Sequence, residues 1–521
     1  MKTLRSHVGG AWHQASDRFV PLFDPSSEEE IAQVSSDGID FESAVAYSRS
    51  HGGASLRELG YSQRGELLLA MSKALHQCRD DLLELSILNS GVTRKDAKFD
   101  VDGATGTLAY YGYLGKEIGD SKFLPDGDGE ELGRSSRFWG QHCWVARNGV
   151  AIHINAFNFP AWGFAEKAAA AILAGMPVIS KPATSTALVT ERMIEILNDE
   201  EVLPSGILSL VCGSVEGLLE SLDGQDVVAF TGSSGTGFMI RSQENLLRRS
   251  VPVNIEADSL NCAVIGPDVS PGSETWGLLV REIAREITQK SGQKCTAVRR
   301  IFVPEERIDD LQEALIEVLS TTVTGSPRDP SVTMGALSTA SQLAAAVEGT
   351  ARLVQKAQIV HGEGTRIDGV GAKPGKGWFF PPTLLRVTDT SDCDVVHDLE
   401  VFAPVSTLLP YDGSAPEAAC SLARGGGTLV SSIYSDDTGW VGDLLARGGS
   451  FSGRFYLGSE KMASQATGSG VALPQSQHGG PGRAGGGSEL GAARALTLYM
   501  QRIALQGSRR MIEDLTNPRE S

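Results

Sequence analysis

The sequence is short of basic charge. Its 46 Lys and Arg face 64 Asp and Glu, a formal net charge of -18. That excludes the clustered cationic surface duplex nucleic acid requires, while leaving room for a local basic pocket that holds a small anion. Cysteine is sparse too: seven residues (Cys78, Cys143, Cys212, Cys262, Cys295, Cys393, Cys420), widely spaced, with no CxxC pair. An odd, scattered set excludes a disulfide framework and a cysteine zinc cluster, so no metal site is expected and a reduced, cytoplasmic setting is. Long apolar runs are also missing. The most apolar stretch, Gly149 to Ser180, is broken by Asn155, Asn158, Pro160, Glu166 and Lys167. Lipid would leave those groups unsatisfied, so no membrane span is expected. The start, MKTLRSHVGGAWHQ, has no apolar core of signal-peptide length.

What is present reads as a soluble α/β protein. With 521 residues the chain is too long for one ordinary core and implies two or three domains. Residues 62–89 carry apolar positions at helical spacing. From Gly149 short apolar runs alternate with helical stretches. VAIHINAFNF, MPVISKPA, ILSLVCG and DVVAFTG read as strands, and PAWGFAEKAAAAILAG reads as a helix ending at Gly175. A second alternation starts at CAVIGPD and runs through a helix near 274–290, RRIFVPEE, a helix to about Leu319 and AQIVHG. Strand–helix repetition predicts parallel sheets with helices on both faces. Residues 478–491, HGGPGRAGGGSELG, predict a shaped loop whose backbone closely approaches a ligand or another strand.

Several residues could carry chemistry, each with a plainer alternative. Cys295 follows a predicted helix beside Lys294, which suits a thiolate nucleophile; a buried inert cysteine fits as well. Glu256 ends an apolar run, where a carboxylate is costly unless paired or put to work as a base on water. Asn158 follows a strand, and its amide could hold an oxyanion or cap the next helix. In AFTGSSGTG, Thr231, Gly232 and Ser233 end a strand, with Gly237 in the opening turn of a helix. That turn offers N–H groups to a pyrophosphate, although the spacing is not GxGxxG. Lys181 ends another strand, on the ligand edge of an open parallel sheet, to bind ribose or phosphate or only water.

Taken in order, these residues resemble the aldehyde dehydrogenase superfamily. The resemblance rests on NFP (Asn158–Pro160), Lys167, SKPA (Ser180–Ala183), FTGSSGTG (Phe230–Gly237), Glu256, GQKCTA (Gly292–Ala297), FFPPTLL (Phe379–Leu385), LEVFAPV (Leu399–Val405) and GGGSELG (Gly485–Gly491). EADSLN, KSGQKCTAVRR, HGGPGRAGGGSELG and YMQRIALQG further resemble one branch. It holds 3,4-dehydroadipyl-CoA semialdehyde dehydrogenase of benzoate oxidation through benzoyl-CoA and the dehydrogenase half of the bifunctional ring-opening enzyme of phenylacetyl-CoA catabolism. The chain ends soon after the region of resemblance, so no hydratase domain is expected, which favours the first of these.

The resemblance implies an aldehyde dehydrogenase fold. Its parts would be a Rossmann-like dinucleotide-binding domain (1–134 and 148–260), an α/β catalytic domain (261–480), and a small β oligomerisation flap with a C-terminal segment (135–147 and 481–510). FWGQHCWVAR and LYMQRIALQ alternate as half-buried strands do, and such edges need a partner, so a homodimer is expected. It implies that Cys295 attacks the aldehyde, Asn158 holds the oxyanion and Glu256 activates water, with Glu166, Lys167 and Glu489 assisting. Asn155, Phe157, Ser180, Lys181, Thr184, Thr231, Gly232, Ser233, Gly237, Glu400 and Phe402 would bind the cofactor. Many NAD-preferring relatives have Glu where this chain has Thr184. Losing that carboxylate removes repulsion of a 2′-phosphate, so NADP is expected, with NAD accepted.

The expected substrate is an aldehyde, CoA-linked in this branch. Rival readings are a CoA-acylating enzyme, a dehydrogenase of small semialdehydes, and a silent scaffold that kept the fold. Two departures bear on the site. Glu256 is followed by Ala257 and Asp258 rather than the usual Leu-Gly-Gly, and an extended region, roughly Tyr456 to Gln477, replaces a compact segment. That region suits either a wide entrance for a long thioester or a surface insertion.

Overall fold

The computed structural model describes residues 2–516. Three long helices precede the parallel strands: α1 (Tyr61–Gln77), α2 (Arg79–Ser90) and α3 (Arg94–Ile118). The helical pattern at 62–89 is thus two helices, divided at Cys78.

A seven-stranded sheet forms from β1 (Ser6–Val8), β2 (Ala11–His13), β3 (Ala151–Ile154), β4 (Val178–Lys181), β5 (Leu208–Leu210), β6 (Val227–Thr231) and β7 (Val253–Glu256). Its order is β7-β6-β3-β4-β5-β1-β2. The five strands β3 to β7 run parallel, as their apolar character predicts. The β1–β2 hairpin joins antiparallel at one edge, an addition the alternation from Gly149 onward could not show. The first strand of the parallel set, β3, lies in its middle. The chain runs outward through β4, helix α5 (Ala187–Asp199) and β5, returns, and runs the other way through β6 and β7. A crevice therefore opens beyond the C-terminal ends of β3 and β6, where helices on the two faces diverge.

The second sheet comprises β8 (Cys262–Ile265), β9 (Arg300–Pro304), β10 (Gln358–His361), β11 (Thr383–Arg386), β12 (Val405–Tyr411), β13 (Thr428–Tyr434) and β14 (Ser452–Gly458), in the order β10-β11-β12-β9-β8-β13-β14. Only β10 is antiparallel. Two short strands, β15 (Gln477–Gly479) and β16 (Ser488–Leu490), pair antiparallel. Between them the glycine-rich loop lies along the edge of β7. A Cβ on Gly485 or Gly487 would sit 2.3 Å from the Ile255 carbonyl oxygen, so only glycine allows the approach. This is the strand-to-backbone approach expected of 478–491, and it covers an otherwise bare sheet edge.

Strand Phe138–Ala146 pairs antiparallel with Met500–Ser508, from Ala146 opposite Met500 to Phe138 opposite Ser508. Met500–Ser508 is the outer strand of this ribbon, with alternate side chains exposed. Among the described residues, no helix is long and apolar enough to cross a membrane.

Candidate active site

Strand register brings the candidate residues together. Ile154 pairs with Lys181 and with Phe230, and Thr231 pairs with Glu256, so four strand ends open at one level onto the crevice. Asn155, Phe157 and Asn158 follow β3 directly. Helix α4 (Trp162–Ala174), buried almost all round by its alanines, then carries Glu166 and Lys167 beneath them. Asp100 of α3 accepts hydrogen bonds from the Trp162 and Ala161 N–H groups at the start of α4, placing an anion at the positive helix end.

Cys295 arrives from the second sheet. After α7 (Glu274–Thr288) the chain passes through three left-handed residues, Lys290, Ser291 and Gly292, with φ of 52°, 54° and 66°. Two consecutive non-glycine residues in that region store strain that surrounding contacts must hold. Ser291 Oγ donates to the Gly335 carbonyl, and the Lys290 ammonium lies 4.2 Å from the centre of the Phe159 ring and 3.8 Å from Asp100. Asn261 Nδ2 donates to the Cys295 carbonyl at 2.7 Å, and Arg299 donates to Gly292 and Lys294. The backbone that carries the sulfur is held from both sides. Lys294, which the sequence places beside the thiol, turns away: it is fully buried and pairs with Glu286 at 2.8 Å.

A narrow pocket of about 40 Å³ gathers Cys295, Glu256, Asn158, Glu166, Lys167 and Thr231 with His478. Asn158 does not cap α4; its Nδ2 donates to the Gln293 carbonyl at 3.0 Å, two residues before the cysteine. The segment after β14 forms part of the pocket wall through Gly470 and Ala472. Thr296 Oγ1 donates to the Gly470 carbonyl, and Arg281 and Arg285 donate to those of Ala463 and Thr467. The extended region is therefore part of the site, and not an insertion away from it.

The electrostatics are those of a crowded buried cluster. Lys167 Nζ lies 3.0 Å from Glu489 and 3.4 Å from Glu166, and Asn254 donates to Glu489 at 3.0 Å. Oxygens of Glu166, Glu256 and Glu489 all lie within 4.8 Å of one another. Three carboxylates thus share two cations, Lys167 and His478, and one of the three tends to keep a proton. Burial first, and then the neighbouring carboxylates, push Glu166 up to about 7 against the pull of Lys167. Burial also acts to raise Glu256, but His478, 3.2 Å away, and Lys167 behind it hold that carboxyl down, to about 2. Burial and the Glu256 charge push the Cys295 thiol up to about 11.

His478 was missed by sequence reasoning, which saw only the glycines around it; a histidine opening a glycine-rich loop was the one available signal.

The cofactor candidates divide between two places. Lys181 and Thr184 line an open groove of about 780 Å³ with Ile154, Gly213, Thr236 and Arg18. Burial lowers the Lys181 pKa. Asn155 Nδ2 donates to Ser180 Oγ, while Asn155 Oδ1 and Thr231 Oγ1 are buried without a partner among the described residues, free to meet a polar ligand. Ser233 caps helix α6 (Ser234–Arg241), and Gly237 lets that helix close on β7, where a Cβ would stand 3.0 Å from Ile255. Gly232 lies under the Phe230 ring. The anion at the α6 start is Asp258, which accepts from Ser234 N at 3.0 Å and Ser234 Oγ at 2.6 Å. The Glu-Ala-Asp departure has a structural purpose, and the helix end is less free than its sequence implies. Further along, Phe402 packs edge-on against Phe157 at 5.8 Å, and burial pushes Glu400 up to about 7 despite Arg299.

Two mostly parallel sheets, with a thiol, a carboxylate and an amide meeting beside a groove at the switch point, have the layout of an enzyme that joins nucleophilic chemistry to a ligand bound at the strand ends. Comparison with known proteins agrees. The chain belongs to the aldehyde dehydrogenase family, whose model matches residues 12–501. It is 41% identical over 478 residues to 3,4-dehydroadipyl-CoA semialdehyde dehydrogenase of Aromatoleum evansii, covering 92% of this chain and 93% of that protein. It is 27% identical over 447 residues to retinal dehydrogenase 2 of Gallus gallus, covering 84% and 81%. Among solved structures, lactaldehyde dehydrogenase from Escherichia coli superposes with a TM-score of 0.82 at 21% identity, covering 97% of this chain and 99% of that one. The family expectation and the fold class read from sequence are borne out. The family uses NAD(P), and this chain is an aldehyde-oxidising enzyme.

Proposed function

We propose that the enzyme oxidises a CoA-linked semialdehyde, of the 3,4-dehydroadipyl-CoA type, to the free acid with NADP as preferred acceptor. The observation that carries the reaction is the meeting of Cys295, Glu256 and Asn158 on one pocket. The substrate class rests on the 41% identical relative. When bound, the nicotinamide supplies the hydride acceptor. Asn155, Phe157, Ser180, Lys181, Thr184, Thr231, Gly232, Ser233, Gly237, Glu400 and Phe402 would hold the dinucleotide, and the unpartnered Asn155 and Thr231 oxygens suit such a polar ligand.

The chain's own groups do the rest. The Cys295 sulfur adds to the aldehyde carbon, and Asn158 donates to the oxygen as it gains charge. After oxidation the acyl group is a thioester on Cys295. Glu256, kept ionised, takes a proton from the water that attacks it. Glu166, with its pKa at about 7, and Glu489, both linked to Lys167, carry that proton away. A CoA-acylating enzyme would need no such base.

NADP preference is supported by Thr184, which brings no carboxylate, and by Lys181 and Arg18 in the same groove. Steady-state kinetics with a CoA-linked semialdehyde and with succinic semialdehyde, each with NADP and NAD, test both choices. The reading expects kcat/KM higher by tenfold or more for the CoA-linked substrate and higher with NADP, with free acid as product. Equal turnover of succinic semialdehyde, or a new thioester product, contradicts it.

We further propose three working parts. Residues 1–134 with 148–260 hold the dinucleotide, 261–480 hold the cysteine, and 135–147 with 481–510 form a flap that pairs two copies. The open edge of Met500–Ser508 supports this pairing. Light scattering at micromolar concentration is expected to give twice the 55.2 kDa chain mass; a monomer contradicts it.

A further inference from the structure

His478 stands between the two groups the proposed chemistry depends on, and both contacts use one nitrogen. Nε2 lies 3.2 Å from Glu256 Oε1 and 3.8 Å from Cys295 Sγ. The three polar atoms all fall within 4.8 Å of one another. The ring is 3% exposed, and its Nδ1 is buried with no partner among the described residues. With Nδ1 unpartnered, the ring's polar contacts are those to nucleophile and base.

We propose that His478 is the cationic partner shared by Cys295 and Glu256, the group that lets the thiol lose its proton inside a buried cluster of carboxylates. The inference rests on the reading of Cys295 as nucleophile. It begins from a neutral thiol, an imidazolium and a carboxylate. The Cys295 S–H bond breaks, its electron pair stays on sulfur, and the proton forms an O–H bond with Glu256. The Nε2–H that faced the carboxylate now faces a thiolate. The trio carries no net charge before or after, so negative charge moves from oxygen to sulfur without a lone buried anion, which would be costly. Glu256 then passes its proton toward Glu166 and Glu489, whose oxygens are within 4.8 Å, and is ready to act on water.

The surroundings favour a charged ring. His478 sits on β15 opposite Glu489 of β16, with Glu256 on β7, Glu166 and Lys167 on α4, and Arg454 on the neighbouring β14. Burial alone would strip the ring of its proton, but Glu256 and the Cys295 sulfur keep its pKa well above the usual histidine value. Lys294 cannot substitute, because Glu286 holds it.

The test is the rate of Cys295 alkylation by iodoacetamide as a function of pH, which needs no aldehyde. Its outcome is therefore separate from the substrate reading. In His478→Gln the thiol loses its cation, and its titration is expected to move up by at least one pH unit, which makes alkylation at pH 7 about tenfold slower. NADP binding by each variant checks that the fold survives. If the Gln variant does not fold, His478→Lys, which retains a positive charge, serves instead and is expected to alkylate at pH 7 within threefold of wild type. A His478→Gln profile that superimposes on wild type, or a folded Lys variant that loses tenfold, overturns the proposal.

Discussion

Cys295→Ala is expected to lower aldehyde oxidation by roughly 10⁴-fold or more, leaving a folded protein that still binds the dinucleotide. No other sulfur can replace it. Of the other six cysteines, Cys143, Cys212, Cys262 and Cys393 are buried elsewhere, Cys78 is half-buried and Cys420 is exposed; none lines the pocket that Cys295 shares with Glu256 and Asn158. The substitution removes one sulfur from a loop whose backbone is held by Asn261 and Arg299, so the loop is expected to keep its shape. Steady-state rates with saturating aldehyde and NADP read the effect. Activity of even a few per cent of wild type contradicts a covalent role for this residue.

Glu256→Gln should fail at a different step. The amide retains the size of the side chain and cannot accept a proton; His478, neutral once the carboxylate charge is gone and 3.8 Å from the sulfur, takes the thiol proton in its place, so the thioester forms and then waits for water that nothing activates. The expected trace is one burst of reduced cofactor, about one equivalent per Cys295, followed by a steady rate lower by roughly 10²–10⁴-fold. If no group but Glu256 could take the thiol proton, the trace would be slow and without a burst. The side chain is also one of three carboxylates balanced by Lys167 and His478, and its loss leaves His478 buried beside a neutral group. The imidazole is then expected to shed its proton, with little loss of stability.

The parallel sheets were legible because buried strands read as short apolar runs, and β3 to β9 follow that pattern closely. Their common C-terminal edge then placed Asn158, Lys181, Thr231 and Glu256 together by topology alone. Other features depended on contacts between distant segments. The β1–β2 hairpin joins a sheet whose other strands begin 138 residues after His13. Lys294 looked like the cation beside the thiol, yet a buried Glu286 one helix earlier claims it. The real cation comes from 183 residues further along the chain, where His478 was one residue in a run read for its glycines. Asp258 reaching back to cap α6 is equally invisible, since it requires β7 and the helix start to lie side by side. Pattern reveals which residues end strands; which charges meet is decided by packing.

Mass spectrometry of the Glu256→Gln enzyme, quenched in acid after mixing with aldehyde and NADP, tests the central claim most directly. The peptide carrying Cys295 should gain the mass of the acyl group, in an amount matching the burst, and release it on treatment with hydroxylamine. An unmodified Cys295 peptide alongside a full equivalent of reduced cofactor would show that oxidation proceeds without the thioester.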